Sequence, residues 1–323
     1  MQFTRRAALA GAAAAAAVSA TGFRLSPAHA QAAAAGNGVF RYKLGDAEVI
    51  QVLDGIRSFP LPDNFITNLS KEQTVAAFAA AYMPNGMMQN PFCPSVVKAG
   101  GKTIVIDTGN GMGALAASNG AVGHHRANLQ AAGIDAKAVD IVLISHIHGD
   151  HIGGLKNPDG TPAFPNAEIK VGAVEMAYWT DEGNVSKTPP AGRGNFANVK
   201  KVFEGLKTTP FEAGKEVAPG ITALATPGHT PGHTSFVVAS GAKRVLIQGD
   251  VSLAPGVFVR NPDYQIMFDT VGDQAVQTRK KLYDMAQTEK MPVIGYHFPF
   301  GTVSYVEKAG NGYILIPANG GIG

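Results

Sequence analysis

Past residue 38 the chain alternates short apolar runs with turns marked by glycine, asparagine and aspartate. Phe40 to Leu44, Glu48 to Leu53, Ser95 to Lys98 and Thr103 to Asp107 predict β-strands, punctuated by Gly45-Asp46, Asp54-Gly55 and Gly100-Gly101. A helix is predicted from about His125 to Ala132, stopped by Gly133. Residues 140–145 read Asp-Ile-Val-Leu-Ile-Ser, and four apolar positions without alternation predict a strand covered on both faces. The second half repeats the style, with strands at Ile221 to Ala225, Ser235 to Ala239, Val245 to Gln248 and Val293 to Tyr296, and a helix at Gln274 to Gln287. Strands and helices alternating in both halves predict the α/β class. No linker or repeat divides residues 31–323, so one domain is expected, with functional groups on the loops that follow strand ends.

The first thirty residues follow another pattern. Arg5-Arg6 precedes an alanine-rich stretch from Ala7 to Ala20, too short to span a bilayer as a helix, and Ala28-His29-Ala30 has the small residues of a cleavage site. Residues 1–30 therefore read as an export signal of the twin-arginine type, cleaved near Ala30, with the mature chain periplasmic or secreted. No membrane span is expected.

Charge changes the picture little. The formal net charge is +3, but Arg5, Arg6 and Arg24 belong to the signal, leaving 24 basic against 24 acidic residues. A neutral body lacks the footprint of a nucleic-acid binder, and the expected partner is a small-molecule substrate; a homodimer is left open. Cys93 is the only cysteine, so no intramolecular disulfide forms, and its apolar setting predicts a small buried hydrophobe.

Histidine carries the chemistry. Residues 145–154 read Ser-His-Ile-His-Gly-Asp-His-Ile-Gly-Gly, placing three imidazoles and a carboxylate within six residues after a buried strand. These are ligands for zinc and neighbouring divalent metals. Further donors follow other predicted strands, in Thr226-Pro-Gly-His-Thr-Pro-Gly-His233, Gln248-Gly-Asp250 and Gly295-Tyr-His297.

The His-x-His-x-Asp-His run at His146 to His151, followed in order by Gly-His-Thr-Pro-Gly-His, Gly-Asp and a late His, resembles the metallo-β-lactamase superfamily. Phe40-Arg-Tyr-Lys-Leu-Gly-Asp and Phe164-Pro-Asn-Ala resemble its branch of methyl parathion hydrolase and related lactonases. The resemblance implies an αββα sandwich with two divalent metal ions, zinc first among them, at one edge. It assigns His146, His148 and His229 to one ion, Asp150, His151 and His297 to the other, and Asp250 to both. Asp107 would orient a ligand histidine and His233 would hold its loop. Trp179, Phe196 and Phe268 resemble aromatic pocket positions of that branch.

The implied activity is hydrolysis by a hydroxide shared between the metals, with Asp150 and Asp250 as the catalytic carboxylates. Asp250 stands where the best-known zinc β-lactamases carry a late Cys, and Leu253 where many acyl-homoserine lactonases carry a helper Tyr. A neutral lactone or ester is the expected substrate, with an organophosphate triester as the alternative. A binding protein that has lost catalysis would show ligand substitutions, and all seven ligands are intact.

Overall fold

The four apolar residues Ile141–Ile144 are buried throughout, because this strand lies inside a sheet covered on both faces. The computed structural model describes residues 38–83 and 86–318, so the expected export signal lies outside the described residues. The first half carries β1 (Val39–Leu44), β2 (Ala47–Val52), β3 (Gly55–Pro60), β4 (Met87–Phe92), β5 (Ser95–Ala99), β6 (Lys102–Ile106), β7 (Ile141–Ile144), β8 (Glu168–Gly172) and β9 (Thr208–Phe211). The second carries β10 (Glu216–Ala218), β11 (Ile221–Ala225), β12 (Thr234–Ser240), β13 (Lys243–Ile247), β14 (Val293–Ile294), β15 (Ser304–Ala309) and β16 (Gly312–Pro317). Among the described residues the α-helices of seven or more residues are α1 (Lys71–Ala80), α2 (His125–Ala131), α3 (Ala173–Thr180), α4 (Gly194–Phe203) and α5 (Gly272–Thr288). None of the described helices is long and apolar enough to cross a membrane.

Two seven-stranded sheets result, ordered β1-β2-β5-β6-β7-β8-β9 and β10-β11-β12-β13-β14-β15-β16. Strand alternation sorts the side chains into layers. Val49, Val97, Ile104, Ile106 and Leu143 meet Ile221, Ala223, Phe236, Val245 and Ile247 in the core between the sheets. Their alternates Ile50, Val96, Val105, Val142 and Ile144 pack outward on Leu129, Trp179, Phe196 and Val199, from α2, α3 and α4. On the far side Leu246 and Val293 pack on Leu282 and Tyr283 of α5. This is the expected αββα sandwich.

The antiparallel pair β3–β4, with α1 between its strands in the chain, stands apart as a two-stranded ribbon, and the expected strands and helices do not include it. With α1 it forms a satellite core of Phe65, Ile66, Phe78, Met88, Val257, Phe258 and Ile266.

His125 opens α2 with its ring buried, its backbone N–H donating to Asp54 Oδ1 at 3.0 Å. Burial pushes the imidazole down to about 4, although Asp54 opposes the shift. Between an ordinary value near 6.5 and that lower value the unfolded chain binds a proton that the folded chain refuses, so stability falls as pH drops through this window. The expected loss is up to about 3 kcal/mol, read as a falling urea midpoint between roughly pH 7 and 4. The His125→Gln variant should show a flatter profile; equal slopes in both proteins would contradict the assignment.

Candidate metal centre

Strand ends assemble the site. Asp107 follows β6, His146 follows β7, Asp250 follows β13 and His297 follows β14. β6 and β7 run parallel in one sheet, and β13 and β14 run parallel in the other, so each pair delivers its loops to one edge. Gly149–Ile152 then forms a single helical turn that brings Asp150 and His151 round beside His146.

Two groups of donors come together, His146 with His148 and His229, and Asp150 with His151, Asp250 and His297; within each group the ligand atoms lie within 4.8 Å of one another. Asp250 Oδ2 joins them. It lies 3.4 Å from His229 Nε2 and 3.8 Å from His146 Nε2 in the first group, and 3.4 Å from His151 Nε2 and 3.1 Å from His297 Nε2 in the second. All seven sequence-predicted ligands are therefore gathered, with the carboxylate assigned to both ions lying between the groups.

On four of the five histidines the outward nitrogen is engaged, which fixes the tautomers. His151 Nδ1 donates to Asp107 Oδ2 at 2.9 Å, His229 Nδ1 to Asp269 Oδ1 at 3.0 Å and His297 Nδ1 to the Pro91 carbonyl at 2.7 Å. His146 Nδ1 lies 3.0 Å from Ser145 Oγ, which itself donates to Asp107 Oδ2 at 2.7 Å. Each Nε2 is thus left as a bare acceptor turned inward. His148 instead turns Nδ1 inward, 2.9 Å from His229 Nε2. His146 Nε2, His151 Nε2 and Asp250 Oδ1 are buried without a hydrogen-bond partner. Burying such atoms unpaired costs about 1–3 kcal/mol each, and divalent cations would satisfy all three. The donor set fits two metal ions.

The electrostatics point the same way. Burial, and then His229, hold His148 down at about 3, so its imidazole is the neutral form that ligates. Burial opposes charge on His297 too, but Asp250 and Asp150 outweigh it and push that ring up to about 9. The negative field that favours an imidazolium there also favours a divalent cation.

Asp107 sits at φ 61°, a costly conformation for a residue with a side chain, and is tied down by Ser145 and His151. It orients the His151 ring. His233 accepts from the Asp250 backbone N–H at 3.0 Å through Nε2 while Nδ1 meets Thr226 Oγ1 at 2.8 Å, so it holds the loop that carries Asp250. Gly249, at φ 59°, makes that approach possible, since a Cβ would lie 2.8 Å from His233 Nε2.

A cleft of about 370 Å³ opens over His148, Asp150, His229, Asp250 and His297. Phe268 lines it, with Phe59, Phe92 and Leu253. Trp179 and Phe196 do not, which corrects the expected pocket. Trp179 is fully buried, its ring 4.9 Å from Phe196 in the core beneath the site, and its Nε1 donates to Glu175 Oε1 at 2.7 Å. An indole with its one donor satisfied inside the core has no reason to turn outward. Arg57, Asn90, Asn110 and Asn195 complete the wall, so the lining is more polar than the sequence reading expected.

Supporting residues that the sequence reading missed are Glu175, Asp269, Arg279 and Tyr296. Glu175, fully buried, accepts from Ile147 N at 2.9 Å, Trp179 Nε1 at 2.7 Å, Thr230 Oγ1 at 2.8 Å and Gly232 N at 2.9 Å. It clamps the loop between His146 and His148 to the loop after His229. Burial pushes its carboxyl up, and the four donors oppose that shift. Arg279 lies 3.7 Å from Asp269 Oδ2 and donates to the carbonyls of Val251, Pro262 and Tyr264. Tyr296 stacks 4.0 Å from the His151 ring and donates to the Asp150 carbonyl. Only Tyr296 gave a sequence signal, as the neighbour of His297.

Residues 94–294 match the model of the metallo-beta-lactamase superfamily, and the chain belongs to that superfamily. It is 30% identical over 154 residues to an N-acyl homoserine lactonase of Bacillus thuringiensis, covering 47% of this chain and 53% of that protein. It is 27% identical over 168 residues to an N-acyl homoserine lactonase of a Bacillus species, covering 51% and 58%. The chain spans about half the length of the curated relatives it matches. Among solved structures, AidC, a dizinc quorum-quenching lactonase, superposes with a TM-score of 0.81 at 22% identity, covering 87% of this chain and 98% of its own, a likeness of fold. The hydrolase AbOPH superposes with a TM-score of 0.78 at 25% identity and the same coverage.

Proposed function

We propose that the chain is a two-metal hydrolase of carboxylic esters, with lactones as its principal substrates. The observation that carries the reading is Asp250 Oδ2, set between two complete donor groups at the floor of an open cleft. When bound, divalent ions supply a water ionised near neutral pH and a Lewis acid for the substrate carbonyl. His146, His148 and His229 would hold one ion, Asp150, His151 and His297 the other, and Asp250 both.

The remaining work falls to side chains. Asp150 is the carboxylate of the cluster more open to the cleft, its side chain 23% exposed against 5% for Asp250. It would orient the attacking water, take its proton and pass it to the leaving alkoxide. Leu253 lines the cleft without a donor, so a side-chain hydrogen bond to the reacting carbonyl would come from Asn195. Phe59, Phe92 and Phe268 would pack on the apolar part of the substrate. The relatives named as N-acyl homoserine lactonases support the preference for lactones. The signal-like residues 1–30 support action outside the cytoplasm.

The test is kcat/KM on an aromatic lactone, an acyl-homoserine lactone and methyl parathion with one zinc-loaded preparation. A lactone is expected to lead. A phosphotriester ahead by more than about tenfold, roughly 1.4 kcal/mol of transition-state preference, would overturn the ranking.

A further inference from the structure

The β3–β4 ribbon pairs Gly55 with Phe92, Arg57 with Asn90 and Phe59 with Met88. Directly paired residues share a face, and every second residue along a strand returns to it, so these six occupy one face of the ribbon. Arg57, Phe59, Asn90 and Phe92 all line the cleft. That face is a cleft wall, with Arg57 and Asn90 as a polar pair between aromatic rings.

The pair is unfinished within the chain. Among the described residues the Arg57 guanidinium makes no ion pair, although it is exposed. Asn90 Oδ1 is buried and has no hydrogen-bond partner. Among the described residues the only carboxylates lining the cleft are Asp150 and Asp250, both in the metal cluster. With their charge committed to two ions, Arg57 is an uncompensated cation on a wall outside the ligand set.

We propose that Arg57, supported by Asn90, is a specificity-determining residue that binds a carboxylate carried by the substrate in addition to its scissile ester. This rests on the hydrolase reading above and narrows its substrate class to lactones or esters bearing a free acid group. The guanidinium fork presents paired N–H donors that match the two oxygens of a carboxylate, a match that neither an ammonium nor an amide reproduces. Asn90 Oδ1 offers an acceptor for a further guanidinium N–H, which would steady the fork and give the buried oxygen its missing partner. The cleft so built selects against the neutral substrates that an apolar lining would favour.

The test uses the zinc-loaded full chain with γ-carboxy-γ-butyrolactone and its carboxamide, which have nearly the same shape while the amide lacks the charge and one acceptor oxygen. Wild type is expected to prefer the acid by about tenfold to a hundredfold in kcat/KM, the range of a charge-assisted hydrogen bond. Arg57→Ala should erase that preference through KM, with kcat on the carboxamide within about twofold of wild type. Arg57→Lys should restore part of the preference and Asn90→Ala should weaken it. Comparing the acid-to-amide ratio of wild type with that of Arg57→Ala cancels any affinity of the metals for carboxylates, which both proteins share. Equal losses on both substrates, or no acid preference in wild type, would overturn the proposal.

A second measurement separates this inference from the hydrolase reading. Calorimetric binding of the two ring-opened products reads the Arg57 site without turnover. If neither lactone is hydrolysed the hydrolase reading fails, while acid-selective binding lost in Arg57→Ala still supports the site. Equal binding of acid and amide products to both proteins would refute it.

Discussion

In zinc-loaded protein, replacing Asp250 with alanine is expected to lower the metal retained below the two ions proposed per chain, towards one or none, and to reduce hydrolysis by at least about a thousandfold, some 4 kcal/mol of transition-state stabilisation. The size follows from position. One oxygen of this carboxylate lies 3.1 to 3.8 Å from donor nitrogens of both groups, so its removal would take a donor from each group and the negative charge that would offset the repulsion of two bound cations. Asp250→Asn keeps the shape and loses the charge, so it should retain more metal than alanine while remaining slow. Metal analysis beside kcat/KM reads both effects. An alanine variant with two ions and wild-type turnover would remove Asp250 from the centre.

The second large effect is expected at Glu175, which touches no ion. Glu175→Gln turns one acceptor oxygen into an NH₂ facing backbone and side-chain N–H or O–H donors, in a buried place with no water to relieve the conflict. Folding stability should fall by about 2–4 kcal/mol, and zinc affinity by about tenfold to a hundredfold as the His148 and His229 loops lose their common anchor. Trp179 is the only tryptophan of the chain and donates directly to Glu175, with its ring 5.9 Å from that of His148. Its fluorescence should therefore respond to zinc in wild type and shift in the variant. Wild-type zinc affinity and an unchanged emission spectrum would show that the clamp is dispensable.

How much of this was legible in the sequence depends on where each residue finds its partners. The ligands stood out because imidazoles and carboxylates cluster after strands, and a metal imposes that local density. β7 stood out because a strand covered on both faces needs no polar alternate. Glu175 gave no such signal, since its donors at Ile147, Thr230 and Gly232 lie 28, 55 and 57 residues away and meet only in the fold. Trp179 and Phe196 were misplaced because an aromatic side chain reads alike whether it faces a core or a cleft; the indole hydrogen bond to Glu175 decides it. The β3–β4 ribbon was missed because Gly-Ile-Arg-Ser-Phe-Pro mixes polar and apolar positions, as suits a strand with one face in a cleft. Helix α1 was hidden by alanines, with only Thr74 and Phe78 buried along it.

The central claim is that two metal ions held by these seven side chains make the chain a hydrolase. Its most direct test is a zinc titration of chelator-treated protein, following lactone turnover and bound metal in the same samples. Turnover should be absent without metal, remain low at one equivalent and reach its plateau at two. A plateau at one equivalent, or turnover that survives complete removal of metal, would contradict the account.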